Sequence, residues 1–124
     1  MAGSKGSKYY DVFLRYEIRL DLNDKNVIND KLFNLFKQID IEGSLSLAAE
    51  KMEISYRKAW GDIKKAEELL GFSFVEKHRG GAKGGKSFLT EDGRNIVEAY
   101  FELINEFDNS LKKITKKFFN EVNK

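Results

Sequence analysis

Two helical patterns in this sequence are separated by a very short turn. The first pattern begins with Ser44 or Ser46 as its N-cap and contains two adjacent alanines, whose small side chains let another helix approach closely. Only Glu53 and Ile54 follow before Ser55, which caps the second pattern. Two helices joined by so short a connection must cross steeply. The sequence therefore predicts a helix-turn-helix.

The second helix of this pair is amphipathic and ends at Leu70, with Gly71 as its C-cap. Its apolar stripe must face the core and consists of Ala59, Ile63, Ala66 and Leu70. The opposite stripe consists of Arg57, Gly61, Lys64 and Glu68, with Lys58, Trp60 and Lys65 beside it and Tyr56 at the helix start. This spacing predicts a basic helix face that the core does not cover.

The residues before the helix-turn-helix predict a strand, a turn and a first helix. Residues 12–22 alternate between apolar and polar side chains, which is typical of a half-buried strand. Residues 23–26 are turn formers, so Val27 and Ile28 can return as a hairpin arm. The first helix then begins at Asn29 or Asp30 and stops before Glu42. Its buried positions are Leu32, Leu35, Phe36 and Ile39.

A second hairpin and a long helix are predicted behind the helix-turn-helix. Residues 72–77 are extended, the glycine-rich residues 80–85 form a turn, and residues 86–89 return as the second arm, so the hairpin forms a wing. Thr90 caps a last helix that reaches about Asn120. Its apolar residues follow a heptad pattern, which is typical of a helix that pairs with another helix. They are Val97, Tyr100, Ile104, Phe107, Leu111, Ile114 and Phe118.

Together these elements predict a mainly α fold with a small β component. It is a winged helix-turn-helix with an N-terminal strand or hairpin and a long C-terminal dimerisation helix. We expect residues 1–8 to be a flexible tail, residues 9–90 to form the winged domain and residues 91–124 to form the dimerisation helix. A chain of 124 residues supports one domain of this kind.

Composition narrows the classes of function. The chain has no cysteine, which excludes disulfides and thiolate metal sites and fits a cytoplasmic protein. No apolar run approaches the ~20 residues of a membrane span, and the first residues lack the apolar stretch of a secretory signal. The formal net charge is only +2, but residues 55–90 hold eight basic side chains against four acidic ones. A local basic surface favours a polyanionic partner.

The basic helix face carries the residue types that read DNA. In a helix-turn-helix the second helix enters the major groove, with its N-terminal residues against the base edges. Arg57 can donate two hydrogen bonds to guanine, Tyr56 can reach a base or a phosphate, and Gly61 has no side chain to hold the helix away. Ser44 and Ser46 suit a phosphate, although plain helix capping explains them as well. The alternative is a solvated basic face without a nucleic-acid role.

The glycine loop also matches a nucleotide-binding motif. The residues from Gly80 to Ser87 fit the P-loop pattern G-x-x-x-x-G-K-[ST]. A P-loop needs a helix that begins at the Lys-Ser pair and a parallel sheet around it, whereas the residues after Lys86 read as extended. We therefore interpret the loop as a wing tip that lies on the DNA backbone, and we expect no nucleotide binding.

The remaining polar residues predict no catalytic or metal site. Acidic residues such as Glu67 and Glu68 fall on helix ends or solvated faces, without a histidine or carboxylate that the pattern places beside them. His78 is the only histidine, and a surface or phosphate-contact role is expected for it. Trp60 is expected to pack under the wing. We expect no enzyme activity, no metal and no cofactor.

The sequence resembles the N-terminal DNA-binding domain of the ModE family, the molybdate-responsive bacterial transcription regulators. The resemblance covers about residues 30 to 101 and rests on four segments: Gly43-Ser44-Leu45-Ser46-Leu47-Ala48-Ala49, Ser55-Tyr56-Arg57-Lys58-Ala59-Trp60, the glycine pairs of the wing, and Leu89-Thr90-Glu91-Asp92-Gly93-Arg94. Regulators of the LysR type share the same helix order. The resemblance implies a dimeric winged helix-turn-helix that acts at operator DNA. In that family the oxyanion sites lie in C-terminal domains, so molybdate binding is not expected on these residues.

We therefore predict a cytoplasmic transcription regulator that reads double-stranded DNA as a homodimer, without its own effector domain. The residues predicted to contact DNA are Ser44, Ser46, Ser55, Tyr56, Arg57, Lys58, Lys64, Arg79, Lys83 and Lys86. The heptad residues of the last helix are predicted to form the dimer seam. The alternative is a protein-interaction module that keeps the winged-helix fold and pairs through its last helix without specific DNA readout.

Overall fold

The computed structural model describes residues 6–78 and 85–124. Most of the predicted tail and of the predicted wing turn lies outside these ranges. The elements within them are β1 (Leu20–Leu22), β2 (Lys25–Ile28), α1 (Asp30–Glu42), α2 (Leu45–Lys51), α3 (Tyr56–Leu70), β3 (Val75–His78), β4 (Lys86–Leu89) and α4 (Glu91–Val122). Among the described residues, no helix combines the length and the apolar character that crossing a membrane requires.

The chain forms two compact units. The central unit is Ile18–Ala99, and the terminal unit combines Met1–Glu17 with Tyr100–Lys124. The boundary falls within α4, so the first turns of this helix belong to the central unit and the rest belongs to the terminal unit.

The helices begin and end where capping chemistry predicts. Asn29 Oδ1 accepts a hydrogen bond from Leu32 N at 2.9 Å and starts α1. The C-caps of α1 and α3 are Gly43 and Gly71, with φ of 68° and 85°. This left-handed conformation favours glycine because other residues have a Cβ that clashes there. The predicted starts of α1, α2 and α3 and the predicted end of α3 are confirmed, whereas α1 ends at Glu42, one residue later than predicted.

The core of the central unit lies between α1, α2, α3 and the second hairpin. Its apolar side chains are almost completely buried, and the largest are Ile28, Phe33, Leu35, Phe36, Ile39, Leu45, Ile63 and Phe74. The rings of Phe36 and Phe74 lie 5.2 Å apart and join α1 to the segment that leads into β3. All four predicted core positions of α1 are buried, as are Ala59, Ile63 and Ala66 of α3. Leu70 is only half-buried.

The N-terminal strand is much shorter than its sequence pattern predicts. Only Leu20–Leu22 pairs with another strand, the four-residue β2, through a turn in which Asn23 and Asp24 have positive φ. A strand needs a partner along its length, and β2 is too short to pair with residues 12–19. The alternation survives in burial from Leu14 to Arg19, where apolar residues are half-buried and charged residues exposed. The strand prediction over residues 12–19 is wrong, whereas the hairpin is confirmed.

In the terminal unit the N-terminal segment packs along α4. Tyr16 Oη donates to Asp108 Oδ1 at 2.6 Å, and its ring stacks on Phe107 with 5.4 Å between centroids. Further along the helix, the ring of Tyr9 lies 6.4 Å from Phe119, which is buried. The segment before β1, part of which was predicted as a strand, therefore packs on a helix through Tyr9 and Tyr16.

Candidate nucleic-acid interface

The polar face of α3 is exposed as the sequence predicts. Tyr56, Arg57, Lys58, Gly61 and Lys64 are all exposed. A Cβ built at Gly61 would meet open space, so internal packing does not require a glycine there. Because Gly61 has no side chain, nothing projects from the helix at this position beside the basic side chains.

The predicted serines act as helix caps. Ser55 Oγ accepts from Lys58 N at 3.0 Å at the start of α3. Ser44 Oγ accepts from Leu47 N at 3.3 Å at the start of α2. Plain capping therefore accounts for Ser44 and Ser55. Ser46 lies in the first turn of α2 with its side chain exposed.

A groove of about 700 Å³ lies between α3, the start of α2 and the second hairpin. Ser46, Tyr56, Lys64 and Lys86 line it, so the structure brings together four of the predicted DNA-contacting residues. Trp60 also lines the groove, half-buried beside β3, where packing under the wing was predicted. The described lining contains no carboxylate. The groove is therefore a cationic and aromatic surface.

Lys58 lies apart from this groove. It forms an ion pair with Asp62 one turn along α3, with 2.9 Å between Nζ and Oδ1. Both line a smaller hollow together with Lys65 and Asn26. An exposed pair at this spacing stabilises a helix by only about 0.3–0.5 kcal/mol, so Lys58 can exchange Asp62 for a phosphate at little cost.

The rest of the wing is described only at its base. Arg79 and Lys83, which were predicted to contact the DNA backbone, lie outside the described residues. His78 is exposed opposite Lys86 in the hairpin, near Phe88 and Glu76. Lys86 begins a strand where a P-loop would require a helix. The structural context of a P-loop is therefore missing at the described end of the motif.

Glu67 and Ser87 are absent from the predicted site, but their hydrogen bonds join the second hairpin to the helices. Glu67 is buried and not solvated as predicted: its Oε2 accepts from Phe74 N at 2.7 Å and from Val75 N at 3.2 Å. Ser87 is also buried, and its Oγ accepts from Leu45 N at 3.2 Å. The sequence held signals for both. Glu67 lies four residues after Ile63 on the apolar stripe, and Ser87 shares a strand face with Leu89.

Lys77 is the third residue that the predicted site omitted. Its Nζ lies 3.9 Å from the centroid of the Trp60 ring and 4.7 Å from that of Tyr56, and it donates to Tyr56 Oη. The signal for its position is the two-residue period of β3, which places Lys77 on the same face as the buried Val75.

The predicted dimer seam on α4 is buried at its start and exposed further along. Val97 and Tyr100 are buried. Phe107, Ile114 and Phe118 are 45%, 54% and 47% exposed. Ile104 and Leu111 are half-buried. The described chain thus leaves a row of large apolar side chains open to solvent.

Comparison with known proteins places this geometry in a family. Residues 31–94 match the family model of the bacterial regulatory helix-turn-helix protein, lysR family. The chain is similar to the molybdenum transport protein ModE of Azotobacter vinelandii, with 33% identity over 103 residues, 83% of this chain and 38% of that protein. It is also similar to the DNA-binding transcriptional dual regulator ModE of Escherichia coli K12, with 32% identity over 83 residues, 67% of this chain and 32% of that protein. The chain thus spans about a third of the length of these curated relatives.

Two solved structures share the fold. A CbnR_DBD–DNA complex has a TM-score of 0.53 and 17% identity, over 70% of this chain and 94% of that chain. A BenM_DBD/benA site 1 DNA complex has a TM-score of 0.53 and 24% identity, over 71% of this chain and 92% of that chain. The predicted fold class and the resemblance to ModE are confirmed. The chain belongs to the lysR family of bacterial regulatory helix-turn-helix proteins and is related in sequence to the ModE regulators.

Proposed function

We propose that this chain is a DNA-binding transcription regulator that inserts α3 into the major groove and lays the second hairpin along the backbone. The observation that carries the proposal is the exposed basic face of α3, which continues through a groove without carboxylates to Lys86 on the hairpin. The Escherichia coli relative is itself described as a DNA-binding regulator. The proposal concerns DNA reading only, and molybdate binding forms no part of it.

The residues proposed to contact DNA have separate roles. Arg57 and Tyr56 read base edges or nearby phosphates, and Lys64 supports them from the next turn. Ser44, Ser46, Ser55 and Lys58 contact phosphates beside the helix starts. Lys86, together with Arg79 and Lys83, lies along the backbone. The partner is double-stranded DNA, and the protein acts in the cytoplasm.

The test is duplex binding at several salt concentrations, with duplexes that the wild type selects from a random pool and scrambled versions of them. The logarithm of the affinity should fall with the logarithm of salt at about −0.9 per phosphate contact. Arg57→Ala should cost about 1–3 kcal/mol on the selected duplex and less on the scrambled one. Lys86→Ala should weaken both equally. Lys31→Ala, an exposed lysine on α1, is the matched control and should change neither affinity.

The same experiment separates DNA reading from the alternative. A protein-interaction module that had lost DNA readout would select no sequence from the pool. Equal losses for Arg57→Ala on selected and scrambled duplexes would remove Arg57 from the base-reading role.

We further propose that the regulator is a homodimer that pairs through the exposed row on α4. An apolar row of this kind is unfavourable in water, and a second copy would cover it. Acidic residues around Glu102 and Glu106 precede a basic cluster at 112–117. Antiparallel pairing sets these opposite charges against each other, although each exposed pair contributes only about 0.3–1 kcal/mol.

Sedimentation tests the dimer. Ile114→Lys places a charge in the exposed row and should give a monomer with weakened DNA binding, although Ile114 is not proposed to contact DNA. Asn109→Lys adds the same charge away from the heptad seam and should leave the dimer intact. A wild type that sediments as a monomer at tens of micromolar would refute this assembly.

A further inference from the structure

The contact between Lys77 and the start of α3 has a consequence for how the protein reads DNA. Lys77 comes from β3, whereas Tyr56 and Trp60 come from α3. Its ammonium group lies over both rings and also donates a hydrogen bond to Tyr56 Oη. One cation thus joins the hairpin to the first two turns of the helix.

The chemistry of this hydrogen bond has a direction. A lysine ammonium group has three donors and no acceptor, so Tyr56 Oη must accept. The hydroxyl hydrogen of Tyr56 is then directed elsewhere. Because the side chain is 43% exposed and lines the groove, this hydrogen is available to a ligand that offers an acceptor.

The position of Lys77 is held by cation–π attraction and not by an ion pair. Its Nζ is 3.9 Å from the Trp60 centroid, and Lys77 forms no salt bridge with a carboxylate of residues 6–78 and 85–124. A cation over an aromatic face keeps its charge while its side chain is ordered. Its charge is therefore available to strengthen whatever hydrogen bond Tyr56 makes.

We infer that Lys77 is a positioning residue that fixes Tyr56 as a one-way hydrogen-bond donor to DNA. Tyr56 then pairs with an acceptor, either a phosphate oxygen or an acceptor atom on a base edge, and it rejects donors such as the cytosine amino group. The helix supplies the donor and the hairpin sets its direction, so both elements determine this contact. The inference rests on the proposed DNA-binding function and goes beyond it, since it assigns the direction of one contact and a role to a residue outside the predicted site.

A double-mutant cycle tests the inference. The variants are Tyr56→Phe, Lys77→Met and the double variant, and the probe is a duplex that the wild-type full chain selects from a random pool. Each single variant should lose about tenfold in affinity, the effect of one charge-assisted hydrogen bond. The double variant should lose little more than either single variant, because both changes remove the same interaction. A double loss near a hundredfold would show independent contacts and overturn the inference.

Two further variants separate positioning from a general charge effect. Lys77→Arg keeps a cation that donates only and should retain most of the affinity. Lys86→Met removes a groove charge that lies on the other strand of the hairpin, and its loss should add to that of Tyr56→Phe. If Lys86→Met couples to Tyr56→Phe as strongly as Lys77→Met does, the special role of Lys77 is refuted.

Scrambled duplexes distinguish the two sources of the acceptor. If Tyr56→Phe loses affinity only on the selected duplex, the acceptor is on a base edge. If it loses affinity equally on both duplexes, the acceptor is a phosphate oxygen. Either result supports the donor assignment, and no loss on either duplex overturns it.

A measurement without DNA tests the contact of Lys77 independently of the proposed function. Trp60 is the only tryptophan, so its fluorescence reports on the cations over its ring, which are Lys77 at 3.9 Å and Lys64 at 4.5 Å from the centroid. Lys77→Met should change this emission while the circular dichroism spectrum stays that of the wild type, and Lys86→Met should leave the emission unchanged. Unchanged emission in Lys77→Met refutes the contact itself. If the wild type binds duplex DNA and both Tyr56→Phe and Lys77→Met bind it as tightly as the wild type does, only this inference is refuted. If the wild type binds no duplex, the proposed function is refuted as well.

Discussion

The central unit buries three phenyl rings almost completely, whereas two phenyl rings on α4 in the terminal unit stay exposed. In Ile18–Ala99, the aromatic rings of Phe33, Phe36 and Phe74 are at most 2% exposed. In the terminal unit, Phe107 and Phe118 on α4 remain close to half exposed. The central unit completes its core from its own residues. The terminal unit has more apolar surface than its own N-terminal segment covers, which supports the proposed pairing of α4.

The largest expected difference between the units is the cost of removing one phenyl ring. Phe36→Ala opens a cavity in a closed core and should lower the free energy of unfolding by about 3–5 kcal/mol. Phe118→Ala removes a ring that is 47% exposed, so at low protein concentration the change should stay below about 1 kcal/mol. Urea denaturation measures both values. If Phe118→Ala is as costly as Phe36→Ala in dilute solution, the contrast between the units is wrong.

The same two variants should also differ in how their stability depends on protein concentration. Association that favours the folded state makes stability depend on protein concentration. The deficit of Phe118→Ala should therefore grow as the protein concentration rises, whereas that of Phe36→Ala should remain constant. A deficit for Phe118→Ala that is independent of concentration would argue against the α4 seam.

Two helical glycines test how tightly the central unit is packed. A Cβ at Gly93 would lie 2.3 Å from the carbonyl oxygen of Phe74, so Gly93→Ala must displace backbone and should destabilise the protein by about 1–3 kcal/mol. Gly61 is also inside a helix, but its Cβ would meet open space. Gly61→Ala should therefore stabilise the protein by about 0.5–1 kcal/mol. Thermal melts of the two variants should shift in opposite directions, and a shared direction would contradict the packing at Gly93.

Effects of about 1 kcal/mol and of opposite sign are expected at two threonines, one in each unit. Thr90 Oγ1 accepts from Gly93 N at 3.0 Å and donates to Ser73 O at 2.8 Å. Thr115 is buried, and its Oγ1 has no hydrogen-bond partner among the described residues. Thr90→Val should cost about 1 kcal/mol, and Thr115→Val should gain about the same because it removes an unsatisfied hydroxyl. A loss on Thr115→Val would show that this hydroxyl is satisfied in solution.

Local chemistry made most of the central unit predictable from the sequence. Caps such as Asn29, Ser55 and Gly71 act within one or two turns of chain, so the sequence alone placed the helix ends. Interactions across many residues were less visible. The hydrogen bonds of Glu67 and Ser87 depend on elements that only folding brings together, so their positions on apolar faces did not reveal their partners.

The terminal unit was predicted less well for a related reason. Alternation over residues 12–22 describes which side chains are covered, and a helix can cover them as well as a neighbouring strand can. Tyr16 packs on Phe107 of α4, so over residues 14–19 the pattern was right about burial and wrong about hydrogen bonding, whereas Val12, Leu20 and Leu22 are exposed. Of the candidate site, the sequence located α3 and the hairpin base but not Lys77, whose importance depends on the two rings beneath it.

The way the terminal unit is assembled also sets an order of events during synthesis. Its two segments are separated by the whole of Ile18–Ala99, and contacts such as that between Tyr9 and Phe119 join one segment to the other. The ribosome makes about 5–20 residues per second, so the first segment waits on the order of ten seconds for its partner. The central unit is contiguous and can fold during this interval. On the nascent chain, the proposed DNA-reading surface therefore forms before the proposed seam for pairing.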